Sequence, residues 1–102
     1  MTDLNAAFVN ANKTAYFEFW TSTAKTLVNN LRNVDCDMYY LNQAEKYAAE
    51  LCQIAKDQDT FDVDYFNNRV YRGVNQFRGW MNNEVTPNDV KGICETFLAN
   101  FN

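Results

Sequence analysis

The sequence predicts an all-α fold: a compact bundle of four principal helices whose short connections set successive helices antiparallel. Three observations carry that prediction. Apolar residues recur at three- and four-residue steps along most of the chain, and no stretch shows the two-residue alternation of a strand. Three glycines and one proline are the only strong breakers in 102 residues, so elements are long and connections short. A hydrophobic fraction of 47%, with 16% aromatic residues, supplies a core without disulfide or metal staples. Residues 1–102 are therefore read as a single helical-bundle domain.

The elements follow in order. Thr2 or Asp3 is placed to cap a first turn at Leu4, and Leu4, Ala7, Phe8, Ala11 and Ala15 share one face. From Tyr16 the apolar stripe moves, and Tyr16, Trp20, Ala24, Leu27, Leu31 and Val34 align. The shift falls around Asn10–Thr14, where Asn12 or Thr14 is placed to cap. The pattern gives either a short extra N-terminal helix before a long one over Thr14 to Asn33, or one bent helix. Asp35 or Asp37 then caps a helix from Met38 to Lys56. Its apolar face is Tyr40, Leu41, Ala44, Tyr47, Ala48, Leu51, Cys52 and Ala55, with Asn42, Gln43, Lys46, Glu50 and Gln53 opposite.

The organising segment runs from Asp62 to Asn83. Val63, Phe66, Val70, Val74, Phe77 and Met81 line one side, and Tyr65, Arg69, Arg72 and Gln76 line a second stripe on the other, with Gly79 below it. Asp57, Asp59, Asp62 and Asp64 cluster at its start. They lack the glycine turn and terminal glutamate of a calcium-binding loop, so Asp59 or Thr60 is read as a cap and Asp62 and Asp64 as charges at the helix's positive end. The last helix follows Thr86-Pro87-Asn88-Asp89, with Thr86 read as cap, Pro87 at the first helical position and Asp89 at the third. Val90, Ile93, Cys94, Phe97, Leu98 and Phe101 form its inner face.

Composition excludes several kinds of chemistry. Without histidine, neither a Cys/His zinc site nor a Ser–His or Cys–His nucleophile is available. Gly73, Gly79 and Gly92 are too far apart for a phosphate loop, and Glu45 and Glu50, five residues apart, diverge rather than pair as metal ligands. No catalytic residue, metal site or cofactor is assigned, and the chain is read as a non-enzyme. Cys36, Cys52 and Cys94 are read as reduced thiols of a cytoplasmic protein, with Cys52 and Cys94 on apolar stripes. The N-terminus MTDLNAAFVN has no secretory pattern, and no window approaches the ~18 apolar residues of a membrane span. A net charge of −4 gives no general attraction to nucleic acid or to an anionic membrane.

Two surfaces remain. The stripe Tyr65, Arg69, Arg72 and Gln76 is read as partner-binding, because Arg and Tyr are enriched at binding hot spots and Arg forks onto carboxylate, phosphate or guanine. The competing reading is an ordinary solvated face with Arg69 and Arg72 near Asp62 and Asp64. A protein partner is favoured over DNA, since a helix-turn-helix needs shorter helices and a more basic surface. The second surface is the set of rings off the apolar stripes: Phe17, Phe19, Tyr39, Tyr71 and Trp80. These are read either as rings wrapped by the bundle or as a patch for a partner or homodimer.

Short, histidine-free, acidic and rich in Asn and aromatics, the chain is similar in composition to small phage accessory proteins, without a shared motif. The likeness implies an inhibitor that binds a host or defence protein through helix faces. The alternatives are a nucleic-acid-associated regulator using the Arg stripe and a small-ligand-binding helical bundle.

Overall fold

A computed structural model describes residues 13–57 and 59–101. Among them are four α-helices and no strand: α1 Lys13–Arg32, α2 Met38–Lys56, α3 Val63–Met81 and α4 Asn88–Leu98, with a final 3-10 turn Ala99–Phe101. The all-α four-helix bundle expected from the sequence is the observed architecture. The readings of Thr2, Asp3, Leu4, Ala7, Phe8, Ala11 and Asn12 lie outside the described residues.

α1 packs most extensively on α2, α3 on α4, and the square is closed by α1 against α4 and α2 against α3. That arrangement sets the width of each buried face. α1 meets α2 and α4 at its sides and α3 across the diagonal. Its buried arc is therefore two residues wide: Tyr16 and Phe17, then Trp20 and Ala24, then Leu27 and Val28, then Leu31. Phe17, which the periodicity put off the stripe, is 0% exposed and stacks on Phe66 with ring centroids 4.2 Å apart. Trp80 is likewise a core residue rather than a stray ring, packed edge-on to Phe77 at 5.0 Å and to Tyr40 at 5.0 Å. Tyr39, Phe19 and Tyr71 do stay exposed.

Other local expectations are also corrected. α1 is already helical at Lys13, so Thr14 lies inside the helix and is not its cap. Val34 falls beyond the end of α1 and is half-buried. On α2, Ile54 joins Ala44, Tyr47, Ala48 and Leu51 in the core, while Cys52 is only half-buried. Thr86 does not cap α4. It is buried ahead of the helix, and Pro87, with ψ of 147°, occupies the cap position with no side-chain hydrogen bond. The proline ring fixes φ but not ψ, and with its extended ψ Pro87 stands before the helix, so Asn88 is the first helical residue.

The acidic cluster resolves into caps. Asp37 Oδ1 accepts from the Tyr39 amide at 2.8 Å, opening α2. Asp62, rather than Asp59 or Thr60, opens α3, its Oδ1 accepting from the Tyr65 amide at 2.8 Å. Asp57 ends α2 and accepts from Gln53 Nε2 at 3.0 Å. Asp62→Ala removes a cap that anchors the helix carrying the Arg stripe. It is expected to cost ~1 kcal/mol in a urea titration, and Asp62→Asn only a fraction of that.

Buried hydroxyls and thiols make the fold alkali-sensitive. Burial, with a smaller contribution from Tyr71 and partly opposed by Trp20, pushes Tyr16 up to about 12, and its hydroxyl donates to Asn67 Oδ1. Burial raises Tyr47, helped by Glu50 and Tyr16, and burial alone pushes the Cys94 thiol up to about 11. In each case the folded state holds the proton more tightly than the unfolded chain. Their contribution is complete below pH ~9 and is lost as pH rises through the raised values. Thermal melts at pH 8, 10 and 11 are expected to show a steady fall in Tm that begins above pH 9.

Candidate functional site

The Arg stripe sits about 100° around α3 from the centre of that helix's buried residues, by the ~100° per residue of a helix, rather than opposite them. That places it against the flank of α2. Antiparallel packing fixes the register. Gln76 Nε2 donates to Gln43 Oε1 at 3.0 Å at one end. At the centre the Tyr47 ring lies against the backbone of Gly73, and its hydroxyl donates to the Val70 carbonyl at 3.1 Å. At the other end Glu50 acts electrostatically on Arg69. Gln43, Tyr47 and Glu50 of α2 thus run against Gln76, Gly73 and Arg69 of α3.

The walls enclose an open groove of about 310 Å³ lined by Gln43, Lys46, Tyr47, Glu50, Arg69, Arg72, Gly73 and Gln76. Three of the four expected site residues, Arg69, Arg72 and Gln76, come together in it. Tyr65 does not line it. Tyr65 stands at the Arg69 end, its ring stacked on Phe61 at 4.8 Å, and its hydroxyl accepts from Arg69 Nη2 at 3.2 Å. The Arg69 guanidinium carbon lies 5.1 Å from the centre of the same ring, while its Nε is buried without a hydrogen-bond partner. The bond to Tyr65 raises the Arg69 pKa, burial opposes that, and Glu50 adds to it, so the charge is permanent. Gly79 lies apart, exposed, with nothing within 4 Å of where a side chain would begin.

Charge distinguishes this groove. Three cations, Lys46, Arg69 and Arg72, face one carboxylate, Glu50, in a chain of net charge −4. None of the three forms an ion pair within 4 Å with a described residue, and Asp62, offered by the sequence as a neighbour, is engaged as a cap. Two other grooves lack this feature. Between α1 and α4 the walls carry Thr23, Thr26 and Thr96, whose hydroxyls are bonded to Phe19, Ser22 and Gly92 carbonyls of their own helices. Between α1 and α2, Arg32 is paired with Glu45 at 2.7 Å.

The second wall, with Gln43, Lys46, Tyr47 and Glu50, was not marked as functional by the sequence. The available signal was complementarity: the same spacing of 3, 1 and 3 on both helices, with a tyrosine at the centre of one and a glycine at the centre of the other. The exposed rings form two groups. Tyr39 lies with Tyr40 and Trp80 beside exposed Met38, whereas Phe19 and Tyr71 flank the Trp20–Phe101 stack. Comparison with protein-family models, curated proteins and solved structures returns no match for this chain. Among the described residues no helix is long and apolar enough to cross a membrane.

Proposed function

We propose that this chain is a non-enzymatic protein-interaction module that occludes or bridges a protein partner through the α2–α3 groove and its Tyr65 rim. One observation carries the reading: among the described residues three cations along one open groove form no ion pair within 4 Å, although acids outnumber bases in the chain. Charges that stabilise only the fold are ordinarily paired or widely dispersed. A concentrated unpaired set favours an outside partner by complementarity. Within this class the compositional likeness supports a phage-type inhibitor of a host or defence protein, acting in the cytoplasm. Nucleic acid is the second reading because the same three cations suit phosphate, but Glu50 and the negative chain oppose a polyanion. Self-association through the Tyr39 or the Phe19–Tyr71 group completes the proposal: light scattering is expected to give twice the mass of the chain, and the mass of one chain would contradict it.

The double variant Arg69→Glu, Arg72→Glu tests the main reading. The unaltered chain is expected to retain a protein from cell lysate through 0.3 M salt, and the folded variant to lose it. A variant that folds normally and keeps every partner contradicts the proposal. Retention on DNA or RNA that falls steeply with salt supports the nucleic-acid reading instead.

A further inference from the structure

We infer that the groove takes a single carboxylate side chain from an acidic segment of the partner protein, held between Lys46 of α2 and Arg72 of α3. The inference rests on the reading of the groove as a protein-binding surface and adds the chemistry of what enters it.

Lys46 of α2 and Arg72 of α3 line the same groove from its two walls, and the Tyr47 ring lies against Gly73 between them. Both are exposed, and neither has a carboxylate within 4 Å among the described residues. Two like charges lining one groove repel each other, and one anion seated between them converts that repulsion into two attractions. Arg72 supplies the planar fork that matches a carboxylate, and Lys46 supplies a point charge.

The ends of the groove determine which anion fits. Gln43 and Gln76 use one donor and one acceptor on each other. The remaining amide hydrogen-bonding capacity suits the backbone on either side of an acidic residue. At the other end Glu50 is an acceptor and a negative charge, so it suits a backbone N–H and repels a second anion. Inorganic phosphate offers no backbone to the Gln43–Gln76 end and so gains only the contacts to the cations. The volume, about 310 Å³, lies at the small end of the ~300–1,000 Å³ range of ligand sites and admits a side chain with its flanking backbone.

The test is an NMR titration with an acetylated and amidated tetraglutamate peptide, the matching tetraglutamine peptide and inorganic phosphate. Tetraglutamate is expected to give saturable shifts at the Gln43 and Gln76 side-chain amides and around Lys46 and Arg72. Tetraglutamine should give none, and phosphate weaker ones. Lys46→Gln and Arg72→Gln should each weaken tetraglutamate about fivefold, the scale of one exposed ion pair, and Glu50→Gln should tighten it. Arg78→Gln, an exposed arginine of α3 outside the groove, should change nothing. Equal binding of tetraglutamine, tighter binding of phosphate, or an equal loss in Arg78→Gln overturns the inference. If tetraglutamate fails to bind while Arg69→Glu, Arg72→Glu still abolishes partner retention, the protein-binding groove stands and the carboxylate falls. If tetraglutamate binds as described while that double variant keeps every partner, the groove takes a carboxylate but not the partner's, and the protein-binding reading falls together with the inference.

Discussion

Gly73→Ala is expected to destabilise the bundle by about 2–4 kcal/mol, whereas Gly79→Ala, six residues further along the same helix, should stabilise it by up to ~1 kcal/mol. In an isolated helix the two changes would be equivalent, since alanine restricts the unfolded chain and favours the helix. The difference lies across the groove. A Cβ on Gly73 would overlap the Tyr47 ring, while one on Gly79 meets nothing within 4 Å. The ring cannot swing aside cheaply. Its far side is packed edge-on to Phe77 at 5.2 Å and to Phe97 at 6.0 Å, and its hydroxyl is bonded to the Val70 carbonyl. Either α2 and α3 separate or the ring leaves, and both open the groove's floor. For a domain of this size the loss corresponds to a fall in Tm of roughly 10–25 °C. A double-mutant cycle isolates the cause: in a Tyr47→Ala background the cost of Gly73→Ala should largely vanish.

Phe77→Ala is expected to cost about 3–5 kcal/mol, a large part of the ~5–15 kcal/mol stability of a typical domain. Phe77 is fully buried on α3, with Tyr47 of α2 at 5.2 Å, Phe97 of α4 at 5.3 Å and Trp80 at 5.0 Å. Truncation leaves a cavity bounded by three large rings, none of which can fill it without abandoning its other contacts. The transfer and cavity contributions therefore both apply in full. A urea titration should show a lower midpoint with the slope preserved, because the same surface is exposed on unfolding. A loss below about 1 kcal/mol would mean that the rings close over the gap and that the three-helix junction is less tightly packed than its geometry implies.

The helices were legible because periodicity alone carries them. Met38 to Lys56 is helical end to end as expected, and Phe66, Val70, Val74 and Phe77 are buried as their spacing required. Phe17 and Trp80 fell off the stripes, leaving open whether the bundle wraps them, for a common reason: a stripe read from one helix assumes one neighbour, and a bundle helix has two or three. The start of α4 falls one residue later than expected because Pro87, whose ring fixes φ but leaves ψ free, takes an extended ψ and occupies the cap position instead of opening the helix. Only one wall of the groove was visible in advance. Which residues of α2 stand opposite Arg69 and Arg72 is set by the register at Tyr47 and Gly73, and register between two helices is a property of packing that no single stretch of sequence displays.

The claim on which the functional account depends is that the groove cations serve something outside the fold. Equilibrium urea unfolding of the Lys46→Gln, Arg72→Gln double variant tests it most directly. Relieved of two like charges that have no carboxylate within 4 Å among the described residues, the variant is expected to match the parent within ~0.5 kcal/mol or to exceed it slightly. A loss of 2 kcal/mol or more would show that these side chains hold the bundle together, and would contradict their assignment to a partner.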